Sequence, residues 1–415
     1  MNESKLSRGA RISVLLAACL GLLFDGIELG LMPVASLSVS KSLLGDAYTS
    51  EAGGDWFAKF AAALMFGAAL GGIFLGNLGD RIGRTRAMGI SILFYSVFAA
   101  MGAWVQTQEQ MLILRFLVGL GVGGMWPNGI ALVAECWSSA SRPLVSGGMS
   151  AGLNLGILLL SQLARLCPIT PDSWRWLFYL AGIPAVLGIV VLAALPESPT
   201  WLANRRVARR PPPPIRELFR PELLKNTIAA IIIASIPMVG AWSASKWMIP
   251  WADKVAGATD AGYKATTQGW WALGATLGSF MGAQLASWLG RRTSYLLISL
   301  GATLLTITMF QWTAPLQPSF HPIVFAQGFV ATLFFGWLAV FLPELFPTRI
   351  RATGSGLAYN AGRFATAVGV LLAGSLFAYL GGDYSRVGTI CASVYSLGVL
   401  VIWLAPAKSE ELSRD

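Results

Sequence analysis

Long apolar runs separated by short polar segments dominate this chain. Twelve runs have roughly twenty residues or more, the length that a helix needs to cross the hydrocarbon core of a bilayer. Each run is predicted to be helical, because lipid offers the polar groups of the backbone no hydrogen-bond partner. The predicted spans are residues 12–38, 56–76, 87–105, 111–135, 144–166, 175–195, 226–250, 266–289, 293–312, 322–343, 354–380 and 384–405.

The overall composition excludes a water-soluble domain. Of the 415 residues, 55% are hydrophobic and 12% are charged, whereas soluble domains carry about 25% charged residues. The formal net charge is +10, but the basic residues are concentrated in short loops, so membrane topology explains them better than binding to nucleic acid does. The four cysteines have no paired spacing, so we expect neither disulfides nor a metal site.

Basic residues occupy one set of loops, while the alternate loops mix both signs of charge. By the positive-inside rule the basic loops face the cytoplasm. We therefore predict a multi-pass protein of the cell (inner) membrane with both termini in the cytoplasm. The basic set comprises Lys5, Arg8, Arg11, Arg81, Arg84, Arg86, Arg142, residues 205–225, Arg291, Arg292, Arg349, Arg351 and Lys408.

A polar loop block recurs about half a chain later. Residues 76–86 lie between the second and third spans, and a shorter copy with Gly290, Arg291 and Arg292 follows the eighth span. Charged loops at equivalent places in two apolar halves indicate a duplicated membrane transporter. We predict two pseudo-symmetric six-helix halves joined by a basic, proline-rich linker. The halves are residues 1–200 and 226–415, and the linker is residues 201–225.

Charged residues near these loops are candidates for a cytoplasmic gate. Glu135 precedes Arg142 at the same spacing at which Glu344 precedes Arg351. Ion pairs among such residues can latch the cytoplasmic side when it is closed; the alternative is that they only set the topology. The candidate gate residues are Gly76, Asp80, Arg81, Gly83, Arg84, Arg115, Glu135, Arg142, Glu344 and Arg351.

These blocks resemble the major facilitator superfamily. The block at residues 76–86 is similar to the superfamily's loop between helices 2 and 3, and residues 196–202 and 343–354 resemble its sugar-porter and organic-ion branch. The resemblance implies an all-α membrane protein with the major facilitator fold, twelve transmembrane helices and a central cavity lined by helices 1, 4, 7 and 10.

Two further segments resemble the aromatic-acid/proton symporters of that superfamily. Residues 115–128 are similar to their helix 4, and residues 25–28 resemble their Asp-Gly-aromatic-Asp element. Ile27 stands in place of the aromatic residue and Glu28 in place of the second aspartate. The resemblance implies coupling to protons.

Ionisable residues inside the predicted spans mark the candidate site, because buried charges are costly without a partner or a wet cavity. Asp25 and Glu28 are the candidate proton carriers, since a carboxylate beside an apolar wall can exchange a proton near neutral pH. Lys246 and Arg363 are the candidates for holding an anionic substrate. The alternative is that Asp25 or Glu28 permanently neutralises Arg115 or Lys246.

Aromatic and amide side chains complete the candidate site. Trp242 lies one helical turn before Lys246 on the same face, which predicts an aromatic wall beside a cation and suits an acid with a ring or apolar body. Trp270 and Trp271, near a helix end, are expected to anchor that helix at the membrane interface. Asn154 can bond either a substrate hydroxyl or another helix. The predicted substrate-binding residues are Lys246, Arg363, Trp242, Trp126, Asn128, Asn360, Tyr359 and Trp337.

Glycines are abundant in the predicted helices. Small residues let helix backbones approach closely. Residues 147–156 of the fifth helix and 354–369 of the eleventh are the places where we expect sliding contacts between the two halves.

The sequence predicts a secondary active transporter that works by alternating access, and specifically proton-coupled symport of a small organic acid, with aromatic carboxylates among the candidates. A sugar or organic-cation porter of the same fold is the alternative. A non-transporting membrane sensor is the alternative from another class, and residues 409–415 are expected to be too short for its signalling domain. With a single histidine and no phosphate-binding loop, we expect no enzymatic activity, cofactor or nucleic-acid partner, and we expect a monomer in the lipid bilayer.

Overall fold

The computed structural model describes residues 6–137, 142–206, 215–347 and 350–404, and all regular elements within them are helical. The α-helices of these segments are numbered α1 to α15 in chain order. Those before the linker are α1 (Arg8–Leu44), α2 (Ser50–Ile82), α3 (Arg84–Met101), α4 (Gln108–Cys136), α5 (Arg142–Leu166), α6 (Arg175–Gly182), α7 (Pro184–Ala194) and α8 (Pro199–Arg206). Those after it are α9 (Pro221–Ser243), α10 (Met248–Ala256), α11 (Tyr263–Leu289), α12 (Arg291–Gln311), α13 (Phe320–Glu344), α14 (Arg351–Tyr379) and α15 (Tyr384–Val401).

Eleven helical segments of the described chain are long and apolar enough to cross a membrane, and each overlaps one of the twelve predicted spans. The remaining prediction, residues 266–289, lies in α11. That helix has 27 residues, or roughly 40 Å at 1.5 Å per residue, but it is not among the eleven. The twelfth span therefore stays a prediction.

The span Pro221–Ala256 is interrupted in its last third. Helix α9 ends at Ser243, a single 3-10 turn covers Ser245–Trp247, and α10 begins at Met248. Non-helical backbone at membrane depth is tolerated where it is buried in protein or lines a cavity. Both conditions hold here, because the whole turn is buried and its Lys246 lies on a cavity wall.

Two helix pairs, α2 with α4 and α11 with α13, make backbone-to-backbone contact through glycine. A Cβ atom added at Gly71 of α2 or at Gly123 of α4 would collide with a carbonyl oxygen of the facing helix. The same holds for Gly274 of α11 and Gly328 of α13. The apolar cores on both sides of the linker therefore depend on residues without side chains, as close helix packing in lipid requires.

Helices on the two sides of the linker pack against each other most extensively in two places, α2 along α14 and α5 along α11. In the first contact, Gly72 lies against the side chain of Asn360. In the second, the Nδ2 atom of Asn154 donates a hydrogen bond to the Oγ atom of Ser279 at 2.9 Å. The fifth and eleventh predicted spans thus lie at contacts between the two parts of the chain, while sliding between two halves stays a prediction.

The packing of α2 on α4 generates a stability prediction. At Gly123 the colliding atom is the backbone oxygen of Ala68, which cannot rotate away, so we expect Gly123→Ala to cost about 1–3 kcal/mol through overpacking. Thermal unfolding of the purified protein in detergent would show a lower midpoint.

Gly148→Ala is the matched control, because nothing lies within 4 Å of a Cβ atom at Gly148. Since alanine is a better helix former than glycine, the control is expected to keep or slightly raise the midpoint. Equal midpoints for the two variants would contradict this description of the helix contact.

Candidate functional site

A cavity of about 130 Å³ lies between helices from both sides of the linker. Its wall is formed by α1, α2, α4, α5, α9, α11, α13, α14 and the 3-10 turn Ser245–Trp247. Most of the wall is apolar or aromatic, which is typical of small-molecule sites with a few orienting polar groups. The charged residues on the wall are Asp25, Lys246 and Arg363, and the aromatic ones are Trp126, Trp242, Trp271, Phe335 and Tyr359.

Lys246 is a buried cation without a counter-ion among the described residues. The residue is 3% exposed, and its Nζ atom has no hydrogen-bond partner in the described structure. The Nζ atom lies 3.4 Å from the centroid of the Trp271 ring. An ammonium over the face of an indole is attracted by the ring's negative face. No N–H donor of Lys246 is therefore used by an acceptor atom of the described residues.

Asp25 and Arg363 form the second charged region of the cavity. Asp25 is buried, its Oδ1 atom has no hydrogen-bond partner in the described structure, and Arg363 lines the same cavity. The Nη1 atom of Arg363 donates to the Ala68 carbonyl at 3.1 Å, and its guanidinium lies 5.1 Å from the Tyr359 ring centroid. The cavity thus holds one acid beside one base here, and a separate base at Lys246.

An aromatic stack adjoins this charged pair. The rings of Trp126 and Tyr359 are parallel to within 3°, with centroids 6.3 Å apart. Trp126 belongs to α4 and Tyr359 to α14, so the stack joins helices from the two sides of the linker.

Glu28, the other candidate proton carrier, is paired outside the cavity wall. Its Oε2 atom lies 3.3 Å from the Nη1 atom of Arg115, and both side chains are buried. The Oε1 atom of Glu28 and two further nitrogens of Arg115 have no hydrogen-bond partner in the described structure. Asp25 therefore faces the cavity, while Glu28 has a counter-ion in α4.

Three predicted substrate-binding residues lie outside the cavity wall. The Nδ2 atom of Asn128 donates to backbone carbonyls of α2 and α4 at 2.9 and 2.8 Å, which ties these two helices together. Asn360 donates to a carbonyl of its own helix at 3.0 Å. The indole N–H of Trp337 donates to the Arg291 carbonyl at 2.9 Å. Their substrate contact stays a prediction, and the proposal below does not rest on them.

Trp271 is a site residue that sequence reasoning missed. It was expected at the membrane interface, but it is 4% exposed and lies beneath Lys246, whereas its neighbour Trp270 is 42% exposed. Successive residues on a helix point about 100° apart, so one of two adjacent tryptophans can face the protein interior while the other faces outward. The spacing alone does not reveal which of the pair is buried.

The loops that contain Gly83 and Gly290 both turn through glycine. Their φ angles are +113° and +79°, in the region that favours glycine over residues with a side chain. After Gly83, the backbone N–H of Thr85 donates to the carboxylate of Glu197, at 3.1 Å to one oxygen. A carboxylate at this position satisfies a free N–H at the start of α3 and meets the positive end of the helix dipole.

Each glycine is followed by an arginine that pairs with a glutamate. Arg84 lies 2.7 Å from Asp80 and 3.4 Å from Glu135, the latter at the end of α4. Arg291 binds both carboxylate oxygens of Glu344, at the end of α13, at 3.1 and 2.7 Å. The repeated loops of the sequence therefore form equivalent ion pairs in the two parts of the chain.

These pairs lie within each part of the chain, and a latch between the two halves stays a prediction. Among the side chains that the structure describes, each glutamate pairs within its own part of the chain and none of these pairs bridges the linker. The Nε atom of Arg351 donates to the Phe346 carbonyl at 3.3 Å, and the side chain of Arg142 lies outside the described residues. Arg81 is exposed, and Gly76 packs near Pro127 of α4.

At the opposite end of the helices a buried ion pair connects the two parts. The Nζ atom of Lys264 in α11 lies 3.0 Å from the Oδ2 atom of Asp253 in α10 and 2.9 Å from the Oγ atom of Ser38 in α1. By contrast, Gly148 and Gly356, near the end with the arginine pairs, face open space. The bond from Lys264 to Ser38 therefore joins the two parts of the chain at the end that contains Lys264.

A comparison with protein families agrees with this architecture. The family model described as Major Facilitator Superfamily matches residues 14–369. The chain belongs to the major facilitator superfamily and is a multi-pass membrane transporter, which confirms the resemblance drawn from the loop blocks.

Relatives and a solved structure extend this result. The chain is 30% identical over 344 residues to the probable 4-methylmuconolactone transporter of Cupriavidus pinatubonensis, covering 81% of this chain and 78% of that protein. It is 29% identical over 393 residues to the cis,cis-muconate transport protein of Acinetobacter baylyi, covering 91% and 92%. The crystal structure of a D-xylose-proton symporter superposes with a TM-score of 0.73 at 17% identity, covering 97% of this chain and 99% of that one, and shows the shared fold.

The ion pairs within each part of the chain predict a specific energetic coupling. A double-mutant cycle with Arg84→Ala and Glu135→Ala is expected to give a coupling of about 0.5–1 kcal/mol in the free energy of unfolding, because the pair is partly buried. Denaturant unfolding of the purified protein measures the coupling.

The control cycle combines Glu135→Ala with Arg351→Ala, which is expected to be additive because Arg351 bonds to Phe346 instead. Coupling in the control cycle but not in the first would show that Glu135 reaches across the linker.

Proposed function

We propose that the protein is a proton-coupled symporter that carries a small organic acid with a ring or apolar body through the central cavity. The observation that carries this proposal is Lys246, a buried ammonium with unused hydrogen-bond donors on the wall of an apolar cavity. A hydrogen bond to a charged group contributes roughly 1.5–3 kcal/mol, so a carboxylate entering this cavity gains an interaction that a neutral molecule does not. The two relatives described above are named for the transport of 4-methylmuconolactone and of cis,cis-muconate, and the latter is an organic acid.

The charges of the wall weigh against the two alternatives in transport. Two bases and one acid face the cavity, so an organic cation is repelled by Lys246 and Arg363 and attracted only by Asp25. A sugar is bound mainly through its hydroxyl groups and leaves the ammonium without a counter-ion. An acid with a ring body uses both the cations and the aromatic surfaces of the wall.

Asp25 is the proposed proton carrier. When ionised it competes with the substrate carboxylate for Arg363, and when protonated it leaves that guanidinium free. Proton binding therefore favours anion binding, and by thermodynamic linkage anion binding favours proton binding to the same extent. The solved structure that shares this fold is named a proton symporter, which supports such coupling.

The transport cycle is proposed to move two six-helix halves, residues 1–200 and 226–415, about the cavity, with residues 201–225 as their linker. Helix α11 then serves as the twelfth span. The protein is proposed to lie in the inner membrane of the cell, and its basic loops favour a cytoplasmic position for both termini. The bond from Lys264 to Ser38, which joins the two parts at one end, and the open space near Gly148 at the other end fit a conformation that faces the cytoplasm. We propose that the carrier acts as a monomer.

The first prediction concerns substrate charge. In liposomes, uptake of benzoate, 3-phenylpropionate or cis,cis-muconate is expected to fall at least tenfold in Lys246→Met, because the substrate carboxylate loses its cation. Lys254→Met is the matched control, since Lys254 lies outside the cavity wall and bonds to the Gly382 carbonyl. Full carboxylate uptake by Lys246→Met, or transport of neutral or cationic solutes alone, would overturn the anion assignment.

The second prediction concerns coupling. Asp25→Asn is expected to lose uptake driven by a pH gradient and to keep exchange of carboxylate across the membrane, because the site remains but the proton carrier is gone. In the wild type the apparent carboxylate affinity is expected to rise as pH falls and Asp25 takes up its proton; Asp25→Asn removes this dependence. The readouts are an internal pH dye and counterflow of labelled substrate, with Glu28→Gln measured in parallel. Gradient-driven uptake that persists in Asp25→Asn and stops in Glu28→Gln would assign the proton to Glu28.

A further inference from the structure

We infer that Trp271 determines the preference of the site for anions, because its ring supports the ammonium of Lys246 without occupying the donors that the substrate needs, and that Gln327 is the residue that positions this ring. The inference rests on the proposed function, and it names the structural element that makes a bare cation available in the cavity.

The ring of Trp271 lies directly against the ammonium of Lys246. The Nζ atom of Lys246 lies 3.4 Å from the centroid of Trp271, and both residues are buried. A carboxylate partner would also stabilise the ammonium, but it would accept the same N–H groups that the substrate requires and would have to be displaced on binding. An aromatic face attracts the cation through its quadrupole and accepts none of these hydrogen bonds strongly.

The side chain of Gln327 fixes the ring of Trp271. The Oε1 atom of Gln327 accepts a hydrogen bond from the indole N–H of Trp271 at 2.8 Å. The Nε2 atom of the same side chain donates to the Oγ atom of Ser245 at 2.5 Å and to the Oγ1 atom of Thr306 at 3.2 Å. Because Gln327 is fully buried, its amide orientation is determined by these partners.

The hydrogen-bond network of Gln327 reaches the backbone next to the ammonium of Lys246. Ser245 precedes Lys246 in the 3-10 turn that interrupts the span, and its hydroxyl also lies 3.0 Å from the Tyr395 hydroxyl. One buried amide, that of Gln327, therefore links the ring of Trp271 to the turn that carries Lys246. A break in a helix would otherwise leave that turn free to shift relative to the ring.

The position of the Trp271 ring affects which substrates the site prefers. The ring covers one side of the ammonium, so a carboxylate approaches from the cavity side and finds the donors free. Removing the ring removes the attraction that holds Nζ in place. The preference for a carboxylate over its neutral amide is then expected to fall, even where the rest of the cavity still binds the substrate body.

The experiment measures binding of a carboxylate and of its amide to the purified full-length carrier in detergent, by calorimetry or by competition. The probes are benzoate with benzamide and 3-phenylpropionate with 3-phenylpropionamide. The ratio of the two affinities is compared between wild type, Trp271→Leu, Trp271→Phe and Gln327→Met. Trp270→Leu is the matched control, because that neighbouring tryptophan is exposed and stacks on His321 outside the cavity.

We expect Trp271→Leu to reduce the carboxylate-to-amide ratio at least tenfold, and Trp271→Phe, which keeps an aromatic face, to retain most of it. Gln327→Met is expected to reduce the ratio about threefold. If Trp271→Leu does not fold, Gln327→Met still tests the inference. Trp270→Leu is expected to leave the ratio unchanged.

Two outcomes would overturn the inference in distinguishable ways. If carboxylate and amide affinities fall together in Trp271→Leu and Gln327→Met, these residues only support the structure, while the anion preference of the wild type still upholds the proposed function. If the wild type itself binds amide as tightly as carboxylate, the proposed function fails and the role of Trp271 fails with it.

Discussion

The cost of burying charge in an apolar medium governs the arrangement of this carrier. Ionisable side chains within spanning helices need a partner, a cavity or an aromatic surface. Glu28 has Arg115, Asp25 faces the cavity beside Arg363, and Lys246 lies on an indole ring. Of the two cations on the cavity wall, Lys246 is the one with no hydrogen-bond acceptor among the described residues, so it is where we propose that a substrate anion is stabilised.

The helix architecture serves the same requirement. Glycines at Gly71, Gly123, Gly274 and Gly328 bring helix backbones into contact and leave the larger side chains to line the cavity. The interrupted span exposes a short turn to that cavity and places Lys246 there. Ion pairs after Gly83 and Gly290 tie the loops within each part of the chain, so we expect the contacts that change in the proposed alternating-access cycle to be those between the parts.

Much of this fold follows from local features of the sequence, whereas the site follows only in part. Apolar run length predicted the spans, because crossing lipid is a requirement on each segment alone, and the repeated glycine-arginine loops predicted the superfamily. Six predicted site residues line the cavity: Asp25, Lys246, Arg363, Trp242, Trp126 and Tyr359.

What the sequence did not reveal depends on helix rotation and on distance between helices. The rotation of α11 buries Trp271, and that of α13 turns Trp337 toward α12 instead of the cavity. Glu135 pairs with Arg84, which lies in a loop far away in the sequence, and the spacing of Glu135 from Arg142 does not reveal this contact. Such facing relations are set by tertiary packing and are invisible to spacing along one segment.

The central claim is that Lys246 binds the carboxylate of the substrate. An experimental structure of the wild-type carrier with cis,cis-muconate or 3-phenylpropionate bound tests it most directly. The account predicts a carboxylate oxygen within about 3 Å of the Nζ atom of Lys246, with Trp271 still beneath the ammonium. A ligand in the cavity whose carboxylate lies elsewhere, with Lys246 still lacking a counter-ion, would contradict it.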